Sequence, residues 1–260
     1  MKARASGRKL ISGNLLLDGN GGSPIERGAV LLDGSTILWV GAEKDVPPTE
    51  GVQPAVHEFP AGTILPGLVD VHTHTNLPGD GTAVEDASDE PDEMLVLRSA
   101  WNARKHLETG VTTARDNGGK NLTTVHMKQG IERGFIPGPR MVISGRPITI
   151  TGGHCWPMGG EADGVEGVRT AVRQLIKEGV DFIKVMTTGG GTKSSYPTLP
   201  SFGVEELKAI TYESHLFGKL VGAHCSSTQG IINSLDADAD MLIHCTFSEP
   251  DGSYKFDPRV

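Results

Sequence analysis

The chain of 260 residues has 37% hydrophobic residues, a formal net charge of −8 and an isoelectric point near 5.6. This length and apolar content are enough for one large domain or two smaller ones with a buried core. The acidic charge, without a dominant Lys/Arg cluster, argues against a nucleic-acid partner, and no apolar run approaches the roughly 20 residues that span a bilayer.

The first region, residues 1–62, consists of short β-rich runs separated by turn signals. Asp18-Gly19 and Asp33-Gly34 mark turns, and the second pair favours a hairpin. The apolar part of the N-terminal segment is too short and too interrupted for a signal-peptide core. We interpret this region as the N-terminal part of a small β-sandwich domain.

From residue 63 the pattern alternates between strand and helix, which predicts a domain of residues 63–260 with a parallel sheet and crossover helices. Glycines mark the predicted helix ends, for example Gly179 at the end of the helix that begins at residue 164. A first strand is predicted to start at Pro66-Gly67 and to end at His74. Further strands are predicted at residues 111–116, 140–145, 180–186, 219–225 and 239–247, and helices at 92–109, 122–132, 164–179, 204–217 and 228–235.

Histidines stand at the end of the first of these strands, in the motif PGLVDVHTHTN. Side chains two residues apart on an extended strand point to the same side, so His72 and His74 face one point. Taken alone, the pair also fits histidines satisfied by hydrogen bonds at a strand end. Lys184, His224 and His244 end or nearly end later strands, and a closed parallel barrel would bring these ends to one rim. Together the five residues favour metal ligation.

These motifs resemble the metal-dependent amidohydrolase superfamily. The matching segments are PGLVDVHTHTN, DFIKVMTTGGG, VGAHC and LIHCTF, while TTARDNGG and GPRMVISGRPITITGGH indicate the imidazolonepropionase-like branch, which includes Xaa-Pro dipeptidases. The resemblance implies an α/β fold, a (β/α)8 TIM-barrel-type barrel with six of its eight strands present, beside a small N-terminal β-sandwich. Because six strands would leave two unpaired edges, we expect the sequence to be incomplete at its C-terminus.

The resemblance also implies a centre of two divalent metal ions, with zinc expected first and manganese, iron or cobalt as alternatives. In it, His72 and His74 would hold the more buried ion, His224 and His244 the other, and a carboxylated Lys184 would bridge them. The apolar neighbours of Lys184 should lower its pKa and make a neutral amine accessible to carbon dioxide. From the residues alone, a lysine that reaches the rim or pairs with an acid fits as well.

No catalytic residue is assigned within the chain, because the superfamily's general base is an aspartate of strand eight, expected beyond Val260. His154 and Tyr196 are predicted to bind substrate, and His154 fits equally a role in ordering its own loop. Arg115 and Asp116 end the second strand. A structural ion pair between them is the commoner interpretation, and orientation of the site is the alternative.

The expected function is hydrolysis of a small amide or dipeptide at its carbon–nitrogen bond by a metal-activated hydroxide. Cyclic-amide opening of the imidazolonepropionase type, or deamination, is a second hypothesis. A non-catalytic, inactive truncated fragment is a third. The odd number of cysteines, three without paired spacing, predicts free thiols and a cytoplasmic location. The sequence leaves substrate, metal identity and assembly into a homo-oligomer open.

Overall fold

The computed structural model describes residues 7–49, 53–258 and 260. They form two compact units, one ending at Gly67 and the other beginning at Leu68. The first unit is built from strands and one short 3-10 turn, whereas the second alternates strands with helices. No helix in the described part of the chain is long and apolar enough to cross a membrane.

The first unit contains one mixed sheet. In it β1 lies parallel with β5 and antiparallel with β2 and β3, while β4 pairs with β3. The strands are β1 (Arg8–Leu16), β2 (Ile25–Glu26), β3 (Gly28–Asp33), β4 (Thr36–Ala42) and β5 (Ala55–Ile64). The β-sandwich predicted for this region stays a prediction, because the described strands form a single sheet.

Two local features explain how the chain turns in this sheet. The predicted hairpin is present: Asp33 pairs with Thr36, and Gly34 in the turn between them has φ 57°. A positive φ is inexpensive for glycine, which suits this tight turn. Arg27, with φ 48°, interrupts the extended backbone between β2 and β3, so both strands pair with β1 as separate segments.

The second unit consists of parallel strands connected by helices, as the sequence predicts. The strands are β6 (Leu68–Thr73), β7 (Val111–Asp116), β8 (Arg140–Ile143), β9 (Ile183–Met186), β10 (Val221–Ser227) and β11 (Met241–Ser248). The helices are α1 (Val84–Ser88), α2 (Asp92–Glu108), α3 (Thr123–Glu132), α4 (Gly164–Glu178), α5 (Val204–Leu216) and α6 (Thr228–Asp236).

The strands of this unit pair in chain order. β6, β7 and β8 form one parallel sheet and β9, β10 and β11 another, and a parallel backbone bridge between Ile148 and Val185 connects the two groups. All the strands therefore run the same way, and their carboxyl ends lie at one edge. The parallel α/β architecture is confirmed, while the count of eight barrel strands remains a prediction.

Apolar side chains are buried between these strands and their helices in separate clusters, of which the one around α4, α5, β9 and β10 is the larger. Val168, Val172 and Leu175 recur at helical spacing on α4 and are buried against Ile183 and Val185 of β9. This packing fixes which way the neighbouring side chains point. Since successive side chains on a strand face opposite sides, the residue between Ile183 and Val185 must face inward.

Candidate metal centre

The carboxyl end of β6 presents two imidazoles side by side. The Nε2 atoms of His72 and His74 are 3.2 Å apart. Two nitrogens bound to one tetrahedral zinc at about 2.0–2.1 Å would be separated by about 3.3 Å, so this spacing fits shared ligation. His74 Nδ1 donates to the carbonyl oxygen of Gly118 over 2.9 Å, which leaves the His74 Nε2 lone pair directed at the shared point.

Asp116, at the end of β7, fixes the backbone that follows these histidines. Its fully buried carboxylate accepts hydrogen bonds from Thr75 N (2.8 Å), Thr75 Oγ1 (2.6 Å) and Gly118 N (3.0 Å). One carboxylate therefore holds both the residue after His74 and the residue whose carbonyl orients the His74 ring. Gly118 has φ 149° and lies so close to Pro147 that a Cβ would be 3.2 Å from it, so glycine is needed there.

His224 and His244 continue the cluster from β10 and β11. The ring centroids of these two residues are 4.9 Å apart, and those of His72 and His244 are 5.0 Å apart. His224 Nε2 donates a hydrogen bond to the carbonyl oxygen of Gly189 over 3.1 Å, which leaves the lone pair of Nδ1 available for a metal ion. His244 has φ 74°, a left-handed conformation that strains a non-glycine residue and redirects the end of β11.

Lys184 faces inward from β9 and is only 1% exposed. Burial lowers the pKa of Lys184 to about 8. The positive charge of Lys184 also lowers the pKa of every nearby imidazole, which places it beside the cluster formed by His72, His74, His154, His224 and His244.

The imidazoles are neutral at physiological pH and can therefore donate lone pairs. Burial, the largest cause in each case, lowers the pKa of His72 and of His154 to about 4 and that of His224 to about 2. Burial likewise lowers the pKa of His74 and of His244. A metal ion would meet ligands that need not lose a proton first.

The structure brings the five predicted ligands together, yet their present arrangement stops short of a coordination shell. Among residues 7–49, 53–258 and 260, no group of three or more His, Cys, Asp or Glu side chains could hold a metal ion. The nitrogens of His72 and His74 contact each other, and His224 Nε2 is committed to a carbonyl. The assignment of these residues as metal ligands stays a prediction, with the neutral donors and their spacing in its favour.

His154 lies beside this cluster, and a threonine that the sequence reasoning missed orients it. The ring centroids of His154 and His224 are 4.7 Å apart, and His154 Nδ1 is 2.9 Å from Thr192 Oγ1. The same hydroxyl oxygen accepts a hydrogen bond from Cys155 N over 3.0 Å. The position of Thr192 directly after the glycine run was the available signal, because such a loop lies next to the strand end.

The loop after β9 approaches His154 through Gly190. A Cβ at Gly190 would lie 2.5 Å from the His154 ring, and one at Gly189 would lie 2.3 Å from the backbone of Tyr196. The Tyr196 side chain itself is 69% exposed. The structure thus brings His154 to the cluster and leaves the Tyr196 ring in solvent, and the substrate-binding role of both residues stays a prediction.

The ion pair considered for Arg115 and Asp116 is wrong. Adjacent residues on β7 point to opposite sides of the strand, so the two side chains diverge. Arg115 Nε donates to the carbonyl oxygen of Val71, whereas Asp116 accepts from Thr75 and Gly118. The free thiols predicted from the cysteine count are present, at Cys155, Cys225 and Cys245.

Comparisons with known proteins agree with this geometry. Residues 63–256 match the sequence model of the amidohydrolase family. Ochratoxinase of Aspergillus niger is 30% identical over 275 residues, which cover 92% of this chain and 55% of that protein. Imidazolonepropionase of Anaeromyxobacter dehalogenans is 32% identical over 119 residues, covering 36% of this chain and 28% of that protein.

Solved structures give the same result. The crystal structure of A. niger ochratoxinase aligns with a TM-score of 0.81 and 28% identity, covering 95% of this chain and 62% of that one. A Xaa-Pro dipeptidase with methionine bound in its active site aligns with a TM-score of 0.79 and 26% identity, covering 94% of this chain and 63% of that one. The chain thus spans little more than half the length of ochratoxinase as a sequence.

Proposed function

The chain belongs to the amidohydrolase family, and we propose that its protein is a metal-dependent hydrolase that cleaves the carbon–nitrogen bond of a small amide at a binuclear centre. The convergence of four neutral imidazoles and one buried lysine at the carboxyl ends of parallel strands carries this proposal. Active sites of parallel barrels are built at that end. The proposed metal ligands are His72, His74, Lys184, His224 and His244.

The ligands divide by strand. His72 of β6 and His74 just after it would hold one ion, His224 and His244 the other, and Lys184 would contribute to both. Imidazole and carboxylate-type donors suit zinc, which we propose as the metal. When bound, the two ions supply Lewis acidity and a water molecule of lowered pKa.

Lys184 would serve as a carbamate. Its ammonium group first loses one proton, and the neutral amine then adds to carbon dioxide and releases a second proton, so that a buried cation becomes an anion with two oxygen donors. The lowered pKa of Lys184, about 8, makes the neutral amine available. The burial of the whole Lys184 side chain, which is 1% exposed, supports the same change, because a buried ammonium is costly.

The remaining residues of the site would hold the substrate and exclude water. His154 lies next to His224 and is neutral at pH 7, so its ring can donate a hydrogen bond to a substrate carbonyl once Thr192 has fixed its orientation. Tyr196 stands at the rim of the same loop and would cover the bound substrate. No residue of the chain is assigned as general base.

Dipeptides and N-acyl amino acids are the substrates we propose first, because a Xaa-Pro dipeptidase is among the similar structures. Opening of a cyclic amide is the second candidate, since imidazolonepropionase is among the similar sequences. We propose a cytoplasmic location, which the free cysteines support. A small molecule rather than a nucleic acid or a membrane is the proposed partner.

The test combines metal analysis with a substrate panel. The purified protein is expected to carry about two divalent ions per chain and to hydrolyse members of a panel of dipeptides, N-acyl amino acids and cyclic amides. His224→Asn should remove metal and activity together. His126→Asn, at an exposed position of α3, is the matched control and should change neither. A metal-free wild-type protein without hydrolytic activity would refute the proposal.

A further inference from the structure

A second layer of inward-facing side chains lies beneath the candidate ligands. Gly222 precedes His224 by two residues on β10, so both face the same side, and Phe182 lies directly before β9, which carries Lys184. A Cβ at Gly222 would be 3.5 Å from Met241 Cε and 3.6 Å from Phe182 Cε2. Residues of β10, of β11 and of the segment just before β9 therefore meet at this level, below the centre.

Arg115 of β7 crosses this layer and contacts its neighbours. Its Nε donates to the carbonyl oxygen of Val71 over 2.7 Å, its guanidinium carbon lies 5.7 Å from the centroid of the Phe182 ring, and its Nη1 contacts Met241 Sδ. These partners stand shortly before His72, Lys184 and His244 in the sequence. The Arg115 side chain thus contacts three segments, which lead to His72, to Lys184 and to His244.

The contact with Val71 matters because the backbone pairing is interrupted there. The ladder between β6 and β7 shifts register between Asp70 and Thr73. In place of ladder bonds, the Val71 carbonyl accepts from Arg115 Nε and, over 3.1 Å, from Asn117 Nδ2. The peptide that begins with this carbonyl ends at His72, so Arg115 of β7 and Asn117 directly after it hold the backbone from which the His72 side chain projects.

We propose that Arg115 is a positioning residue of the metal centre, which fixes His72, Lys184 and His244 relative to one another from below. The planar guanidinium is suited to this role because it can donate in its plane and stack on an aromatic ring at the same time, which an ammonium group does not do. Its positive charge also favours an anionic bridging ligand above it. This inference rests on the proposed function.

Cobalt binding by the protein measures this role directly. Wild type, Arg115→Met, Arg115→Lys and Arg104→Met are stripped of metal, and cobalt affinity is measured by competition with a chelator. The visible absorption bands of bound cobalt report ligand geometry. Arg104, exposed on α2 and paired with Glu108, is the matched control. Removing groups that orient metal ligands typically weakens affinity by about 10–100-fold.

Arg115→Met is expected to weaken cobalt affinity within that range and to change the absorption bands, while Arg104→Met matches wild type. Arg115→Lys should restore the affinity only in part, because lysine retains the positive charge but lacks the planar guanidinium that donates in its plane and stacks on a ring. Thermal unfolding of the metal-free variants separates loss of positioning from loss of folding. If Arg115→Met does not fold, Arg115→Lys decides the question.

Wild-type affinity and wild-type bands in the folded Arg115 variants would overturn the inference while leaving the proposed function intact. A wild-type protein that binds no cobalt or zinc would instead refute the proposed function, and with it the reason for a positioning residue. The two failures are therefore distinguishable in one set of titrations.

Discussion

The two faces of β9 have opposite roles. Ile183 and Val185 point outward and are buried in the apolar core against α4 and α5. Lys184, between them, points inward and is equally buried, at 1% exposure. Burial of the outer side chains stabilises the fold by about 25 cal/mol per Å² of apolar surface. Burial of the lysine has the opposite effect, because it takes a charge away from water.

This contrast shows how one short strand can serve stability and chemistry at once. The outer face holds the strand in place against its helices, and the inner face can then carry a group that the apo protein would be more stable without. The other inward residues follow the same pattern, since His224 of β10 alternates with the core residues Val221 and Ala223. Changes on the two faces should therefore have opposite effects on folding and function.

The largest effect is expected from Lys184→Met. This variant should lose metal binding and hydrolysis, and its metal-free form should be more stable than wild type. A pKa lowered from 10.5 to about 8 corresponds to about 3 kcal/mol at neutral pH, by linkage. Urea unfolding in the presence of a chelator measures the gain, and Lys208→Met, exposed on α5, is the control.

The sign of this effect also has a pH signature. The unfolded chain binds more protons than the folded one between the folded and unfolded pKa values of Lys184, so the free energy of unfolding of wild type should rise with pH between about 8 and 10.5. Lys184→Met should lack this rise. A metal-free Lys184→Met protein that is less stable than wild type at pH 7 would contradict the conclusion that the buried lysine destabilises the fold.

Ile183→Ala tests the outer face. Ile183 is fully buried, and its truncation should lower the free energy of unfolding by about 2–5 kcal/mol. The folded fraction should still bind the same number of metal ions per chain. Leu216→Ala, at a position of α5 that is 62% exposed, should cost much less. Loss of metal stoichiometry without loss of stability would mean that the two faces are not separable.

Asp116→Asn sharpens the comparison at the neighbouring strand. Thr75 N, Thr75 Oγ1 and Gly118 N all donate to the Asp116 carboxylate, so an amide in its place would set a donor against at least one of them. Metal affinity should fall by about 10–100-fold. Competition titration with a chelator measures the change, with exposed Asp236→Asn as the control. Unchanged affinity would remove Asp116 from the support of the centre.

The smallest effect concerns His154 in the metal-free protein. Its pKa is lowered from 6.5 to about 4 in the folded state, so its neutral form contributes stability above pH 6.5 that is lost as the pH falls towards 4. The loss at pH 5 should be about 1–2 kcal/mol. In His154→Gln, urea unfolding between pH 4.5 and 7.5 should show a correspondingly weaker dependence. An unchanged dependence would indicate that His154 is not buried as described.

The sequence was sufficient for the elements and for the candidate ligands of the second unit because both depend on local periodicity. Strand–helix alternation placed β6 to β11 and most of their helices, and the positions of His72, His74, Lys184, His224 and His244 at strand ends followed from it. Strand limits were less accurate. The strand predicted at residues 180–186 is observed as Ile183–Met186, because pairing with β10 begins only at Ile183.

Contacts between distant segments could not be predicted. The contact of the Thr192 hydroxyl with the His154 ring depends on the path of a long loop. The hydrogen bond from Thr75 to Asp116 depends on the register of two strands. The left-handed backbone at His244 has no local sequence signal, because it occurs in an apolar strand pattern without glycine. For Arg115, the adjacent acid suggested an ion pair, although strand geometry separates the two side chains.

The glycine run after β9 bears on how the protein can acquire new substrate preferences. A Cβ at Gly190 would collide with the His154 ring, whereas one at Gly191 meets no atom within 4 Å. A side chain at position 190 would thus displace the predicted substrate contact, and one at position 191 would add a new surface. Neither change replaces a proposed metal ligand, so under the proposed function selection in the laboratory would vary specificity in this loop while the ligand set is inherited unchanged.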